Sequence, residues 1–145
     1  MKLLVLFAAM LGATAHAGAA EPLYQMPEQP ETGLWIPTIV SIPQAESRDS
    51  TFSVNVRNVD ADFAGQLAVT VTPNQARPDA GKLHIVADTC SGATLARSGE
   101  CRLRFDVRAA YARPGTSTWF VTVQPVGGSP VTTQVQVANK PGRCD

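Results

Sequence analysis

Histidine is scarce in this chain, long apolar runs are confined to one end, and neither sign of charge is in excess. The 145 residues carry two histidines, twelve acidic and twelve basic side chains. That balance supplies no overall field for nucleic acid or an anionic membrane, so nucleic acid is excluded as an expected partner. No nucleophile elbow is present, and no Gly-rich phosphate loop follows a strand. His84, the one histidine beyond the first twenty residues, sits between Leu83 and Ile85, and alternation turns it outward. A base built from Asp79 or Asp88 with His84 and a serine is the one hydrolase-type arrangement on offer, and its members are ordinary turn residues. Asp60 and Asp62 resemble an Asx turn and lack the ligand spacing of a calcium loop. The chain is therefore read as non-catalytic, with no catalytic residue, no metal and no cofactor assigned.

Sustained helical periodicity is missing too, while Val and Thr are abundant, which favours an all-β chain. The apolar run at the start has a different use. Lys2 precedes Leu3 to Gly12, and Ala15-His16-Ala17 supplies small residues around a cleavage point. Residues 1–20 are thus read as a signal peptide, cut after Ala17 or Ala20. The run is too short to span a bilayer, and no later run is long enough, so no transmembrane segment is expected in the mature chain. Export places the protein in the periplasm or outside the cell, where disulfides persist.

Residues 21–33 hold Pro22, Pro27 and Pro30 and are expected to form a flexible, solvated leader. Leu23, Tyr24 and Met26 would be its anchors if this arm docks on a partner or a sheet edge. From 34 to 139 the chain alternates strand patterns with turn chemistry. Leu34 to Ile42 is one strand broken by Pro37, and Thr51 to Arg57 turns Phe52, Val54 and Val56 to one side. Gln66 to Thr72, Lys82 to Asp88 (with Leu83 and Ile85 buried), Cys101 to Val107, Ser117 to Val126 and Val131 to Ala138 follow. These make about seven strands, an immunoglobulin-like antiparallel β-sandwich. Residues 140–145 form a C-terminal tail.

Three cysteines allow three pairings. Only Cys90 and Cys101 are joined by a short polar loop between two strands, so they are the expected disulfide, with the chain-entropy model giving roughly 3 kcal/mol for such a loop. A metal pair would need further Cys or His ligands, and only His84 is near. Cys144 is left over. It is either the thiol of an intermolecular disulfide, which would give a linked dimer, or a solvated tail thiol.

Cys90-Ser-Gly, Leu95-Ala, Ser98-Gly-Glu-Cys101 and then Leu103 and Phe105 resemble a pattern found in bacterial immunoglobulin-like modules. These form the choice-of-anchor and ASPM/SPD-2/Hydin-like group. The resemblance implies a non-catalytic structural or interaction module outside the cytoplasm. Members often place a Pro soon after the Phe, whereas here Phe105 is followed by Asp106-Val107-Arg108.

Arg97, Arg102, Arg104, Arg108 and Arg113 crowd one region, relieved by Glu100 and Asp106. Arg102, Arg104 and Arg108 fall on one outer strand face. They form either a basic stripe for an acidic partner or a charged face that blocks edge-to-edge aggregation. Trp119 is expected in the core, and Trp35 at an edge where a partner reaches it. The leading reading is an exported structural or protein-interaction module of the cell envelope, binding an envelope protein or polymer. The alternative is a subunit or assembly factor of a surface fibre, against which the leader's prolines argue.

Overall fold

Strict alternation of apolar and polar residues dictates a two-layered structure. In Thr51–Asn58 the even positions are buried and Thr51 and Asn55 are exposed, and in Cys101–Val107 the odd positions are buried. A computed structural model of the chain describes residues 21–28, 33–42, 50–59, 64–74, 82–108 and 115–139. Among them lie nine strands: β1 (Leu23–Gln25), β2 (Leu34–Trp35), β3 (Ile39–Ile42), β4 (Ser50–Asn58), β5 (Leu67–Pro73), β6 (Lys82–Asp88), β7 (Glu100–Arg108), β8 (Gly115–Pro125) and β9 (Val131–Asn139). They form a four-stranded sheet in the order β2-β4-β7-β6 and a five-stranded sheet in the order β1-β3-β9-β8-β5. With β2, β4, β7 and β6 as strands A, B, E and D, and β5, β8 and β9 as C, F and G, this is the immunoglobulin arrangement.

The core lies between the sheets. Phe52 and Phe105 stack there with ring centroids 5.1 Å apart. Val54, Val56 and Leu103 fill the layer from the same sheet, and Val40, Val121, Val123 and Val135 from the other, all fully buried. Trp119 is buried with them, at 5% exposure, as its position in the alternation requires. The β8–β9 hairpin closes through a turn in which Gly127 takes a φ of 76°, the left-handed region that glycine enters without steric cost.

The expected count of seven strands becomes nine, for two reasons. First, Leu34 to Ile42 is not one strand but two strands in different sheets. Pro37 has no N–H to give to a ladder, and Ile36 and Pro37 are both buried where the chain passes from one layer to the other. The crossing delivers β3 alongside β9 in the same direction, so β3–β9 is a parallel pair within an otherwise antiparallel structure. Second, the sheet reaches back beyond residue 34. Leu23–Gln25, within the expected leader, pairs antiparallel with β3. All three residues stay exposed, so β1 extends an edge without entering the core. A further difference concerns Ile85, expected on the buried face. It is 37% exposed, because β6 is an edge strand with a bulge between Ile85 and Ala87.

Residues 1–20, read as a signal peptide, and 140–145, the tail with Cys144, lie outside the described residues, as do Asp60, Asp62, Asp79 and Arg113. No helix among the described residues is long and apolar enough to cross a membrane.

The stacked phenylalanines generate a stability prediction. Phe105→Ala removes a fully buried ring, and denaturant unfolding should show a loss of about 3–5 kcal/mol. A loss under about 1 kcal/mol would mean that the two sheets do not close on this ring.

Candidate functional site

The outer face of the four-stranded sheet is where polar and charged side chains converge. Register pairs Arg57 with Glu100, Asn55 with Arg102, Ser53 with Arg104 and Thr51 with Asp106 across β4 and β7. Arg102 donates from Nε to the Asn55 Oδ1 at 3.0 Å, which aligns its guanidinium along the face. The Arg57 Nε stands 4.0 Å from the Glu100 carboxylate, a charge contact too long for a hydrogen bond. That Nε is itself buried and has no hydrogen-bond partner.

The N-terminal segment supplies a wall beside this face. The Gln25 carbonyl accepts from the Thr38 N–H at 2.8 Å and from its hydroxyl at 3.1 Å, pinning the end of β1. Tyr24 then reaches across to the other sheet, where its hydroxyl donates to the Ser53 carbonyl at 2.9 Å. The Trp35 indole N–H points back to the Pro27 carbonyl, at 3.4 Å. Together these contacts bound a groove of about 530 Å³. Tyr24, Met26, Trp35 and Pro37 form its wall; Ser53, Asn55, Arg57, Glu100 and Arg102 form its floor. Tyr24 and Met26 remain 42% and 47% exposed, so the wall is open to an incoming group.

Backbone geometry adds to the floor. The Asn58 N–H donates to the Gly99 carbonyl, on the β7 side. Alternation therefore turns the N–H groups of Val56 and Val54 toward β7, and the backbone groups of Arg57, Asn55 and Ser53 toward the opposite edge. There β2 pairs only with Asn58 and Arg57. The Tyr24 hydroxyl takes the Ser53 carbonyl, and between the two the edge of β4 at Asn55 has no strand beside it among the described residues.

A disulfide-closed loop fixes the start of β7 and so the positions of Glu100 and Arg102. Cys90 and Cys101 are bonded, with Cα atoms 5.1 Å apart and a sequence separation of 11. Asp88 caps the loop: its carboxylate accepts from the Cys90 and Ser91 N–H groups at 2.7 and 2.8 Å and from the Ser91 hydroxyl. Partial burial pushes the Asp88 pKa up, but the Ser91 and Cys90 hydrogen bonds outweigh it and leave the group below its ordinary value. On the inner side, the buried Asn58 amide donates to the Leu95 carbonyl at 2.9 Å, and the Ser98 N–H donates to the Asn58 carbonyl. Ser98 takes a φ of 61° to complete this turn.

Of the residues expected on an interaction surface, Trp35 and Arg102 meet in the groove. Arg104 lies one row further along the same exposed face, outside the groove lining. Arg108 is at the far end of β7, paired by its backbone with Lys82. His84 is exposed and opposite Asp106, while Asp88 is engaged in its loop, so neither faces the other across a cleft. No group of three or more His, Cys, Asp or Glu with metal-holding geometry occurs among the described residues. Sequence reasoning missed Asn55, Arg57 and Glu100. Their outward parity was legible, but the β4–β7 register that gathers them was not.

No protein-family profile and no curated protein sequence matches this chain. Solved structures do. VesC, a secreted serine protease from Vibrio cholerae, is similar over 75% of this chain and 23% of its own, at 14% identity and a TM-score of 0.62. The VesB protease of the same organism is similar over 73% of this chain and 32% of its own, at 21% identity and a TM-score of 0.54. A family 123 glycoside hydrolase from Clostridium perfringens is similar over 70% of this chain and 22% of its own, at 8% identity and a TM-score of 0.52. The chain thus spans a third or less of each of these proteins, and at such identities the likeness shows the β-sandwich fold alone.

The Asp88 cap carries a pH prediction with a definite sign. Because the folded pKa is lowered, the stabilisation is full above the ordinary carboxylate range near 3.9 and is lost as pH falls through the folded value. Asp88→Ala should cost about 1 kcal/mol at pH 7, low for bonds to a charged group because the site is largely exposed. Unfolding measured down to pH 2.5 should show variant and parent converging; a constant gap over that range would contradict the cap.

Proposed function

We propose that the protein is an exported, non-catalytic immunoglobulin-like module of the cell envelope, akin to the choice-of-anchor and ASPM/SPD-2/Hydin-like group. Its work is to hold a partner protein on the outer face of the four-stranded sheet. The observation that carries this reading is the groove, where Trp35, Tyr24, Met26 and Arg102 converge on one open cleft. Aromatic, Met and Arg side chains are the types enriched where proteins meet. A face rigidified on one side by the Cys90–Cys101 loop and on the other by the β1 strap presents them with little ordering cost. Export agrees with the oxidised pair and with the signal-like residues 1–20.

Site-specific photo-crosslinking in the source cells tests the assignment. A crosslinking side chain at position 55 or 102 should give a discrete protein adduct recovered from the envelope fraction. The same side chain at Ala68 or Thr70, on the exposed face of β5, should give none. Equal labelling from both faces, or none from positions 55 and 102, would overturn the reading.

A further inference from the structure

The groove specifies the chemistry of what it holds. We infer that it binds an extended, acidic peptide segment of the partner, which lies along the open edge of β4 at Asn55 and sets carboxylates against Arg57 and Arg102. This rests on the interaction reading above and goes beyond it by naming the ligand class.

Two independent features converge. The first is charge. The floor carries two guanidinium groups against one carboxylate, Glu100, and Arg104 continues the positive face in the next row. Arg57 stands in this floor beside Glu100, its Nε buried but its side chain 39% exposed, so the rest of the guanidinium is what a ligand meets. The Nε of Arg102 is bonded to Asn55, which orients the guanidinium of this exposed side chain. A carboxylate arriving at this floor meets the two guanidinium groups on their exposed sides and pairs with them in planar geometry.

The second feature is the backbone. The N–H and carbonyl of Asn55 face an edge that β2 leaves at Trp35 and that Tyr24 meets again at Ser53. An extended chain satisfies such an edge by main-chain hydrogen bonds, with alternate side chains entering pockets. Trp35 and Met26 stand beside that edge as apolar contacts for the side chains between the acidic ones. A saccharide acid would use the guanidinium groups but has no repeating N–H and carbonyl to complete a strand edge.

Binding of defined probes to the oxidised chain tests this. The probes are a labelled peptide alternating Glu and Val, its Lys and Val counterpart, and polygalacturonate as an acidic saccharide. The Glu peptide should bind, with an affinity that falls as salt rises, and should shift the Asn55 amide resonance. Arg102→Ala should weaken it about tenfold, the loss of one charged contact. Lys82→Ala, at the far end of β6, should leave it within about twofold, and the circular dichroism of both variants should match the parent.

Equal binding of the Lys peptide, preferential binding of polygalacturonate, or Glu-peptide binding without a change at Asn55 would each overturn the inference. Adducts from positions 55 and 102 without acidic-peptide binding would refute the ligand class and leave the interaction face standing. The absence of both would refute both.

Discussion

The passage of the chain from one sheet to the other at Ile36 and Pro37 is the constraint on which the rest of the structure depends. A proline cannot supply a ladder hydrogen bond, and here it is buried, so the strand that begins at Leu34 cannot continue along β4. It leaves after pairing with Arg57 and Asn58 and joins β9 in parallel. Three consequences follow. Trp35 is stranded at the rim of the four-stranded sheet, β4 has no strand beside Asn55 among the described residues, and β1 lies along the edge of β3 so that Tyr24 spans to Ser53. A groove exists because one strand is shared between two layers.

The opposite boundary of that groove is set by covalent and polar chemistry. The disulfide, the Asp88 cap and the buried Asn58 amide fold residues 88–101 back on themselves and start β7 at a fixed place. Antibody domains place their disulfide between the two sheets. Here it stays at one end of a single sheet, joining the end of β6 to the start of β7, and both cysteines are buried in the core with Phe52, Phe105 and their valine neighbours. The covalent link therefore fills one end of the core while it fixes the start of the strand that carries Glu100 and Arg102.

Much of the fold was legible because its signals are local. Period-two alternation in β4, β7 and β8 depends only on neighbouring residues, and the buried sets Phe52/Val54/Val56 and Leu103/Phe105/Val107 follow from it directly. The Cys90–Cys101 pair was legible for the same reason, a short loop between two strands. The sheet crossing at Pro37 was half legible: the break could be read, but the destination of the second half depends on contact with β9, almost a hundred residues away. β1 was not legible as a strand because three exposed residues carry no alternation to speak of.

The site divides along the same line. Trp35 and Arg102 stand out by residue type alone, whereas Arg57 and Asn55 matter only through their pairing with Glu100 and Arg102. Of the arginine stripe read from parity, Arg102 lines the groove, and Arg104 lies one row beyond it on the same face.

The central claim is that β4 is paired with β7 on one side and, among the described residues, has no strand beside Asn55 on the other, and residue-resolved amide hydrogen exchange on the free, oxidised chain measures it directly. The account predicts that the Asn55 amide exchanges orders of magnitude faster than those of Val54 and Val56, which face β7. Protection of Asn55 equal to that of its two valine neighbours would contradict it.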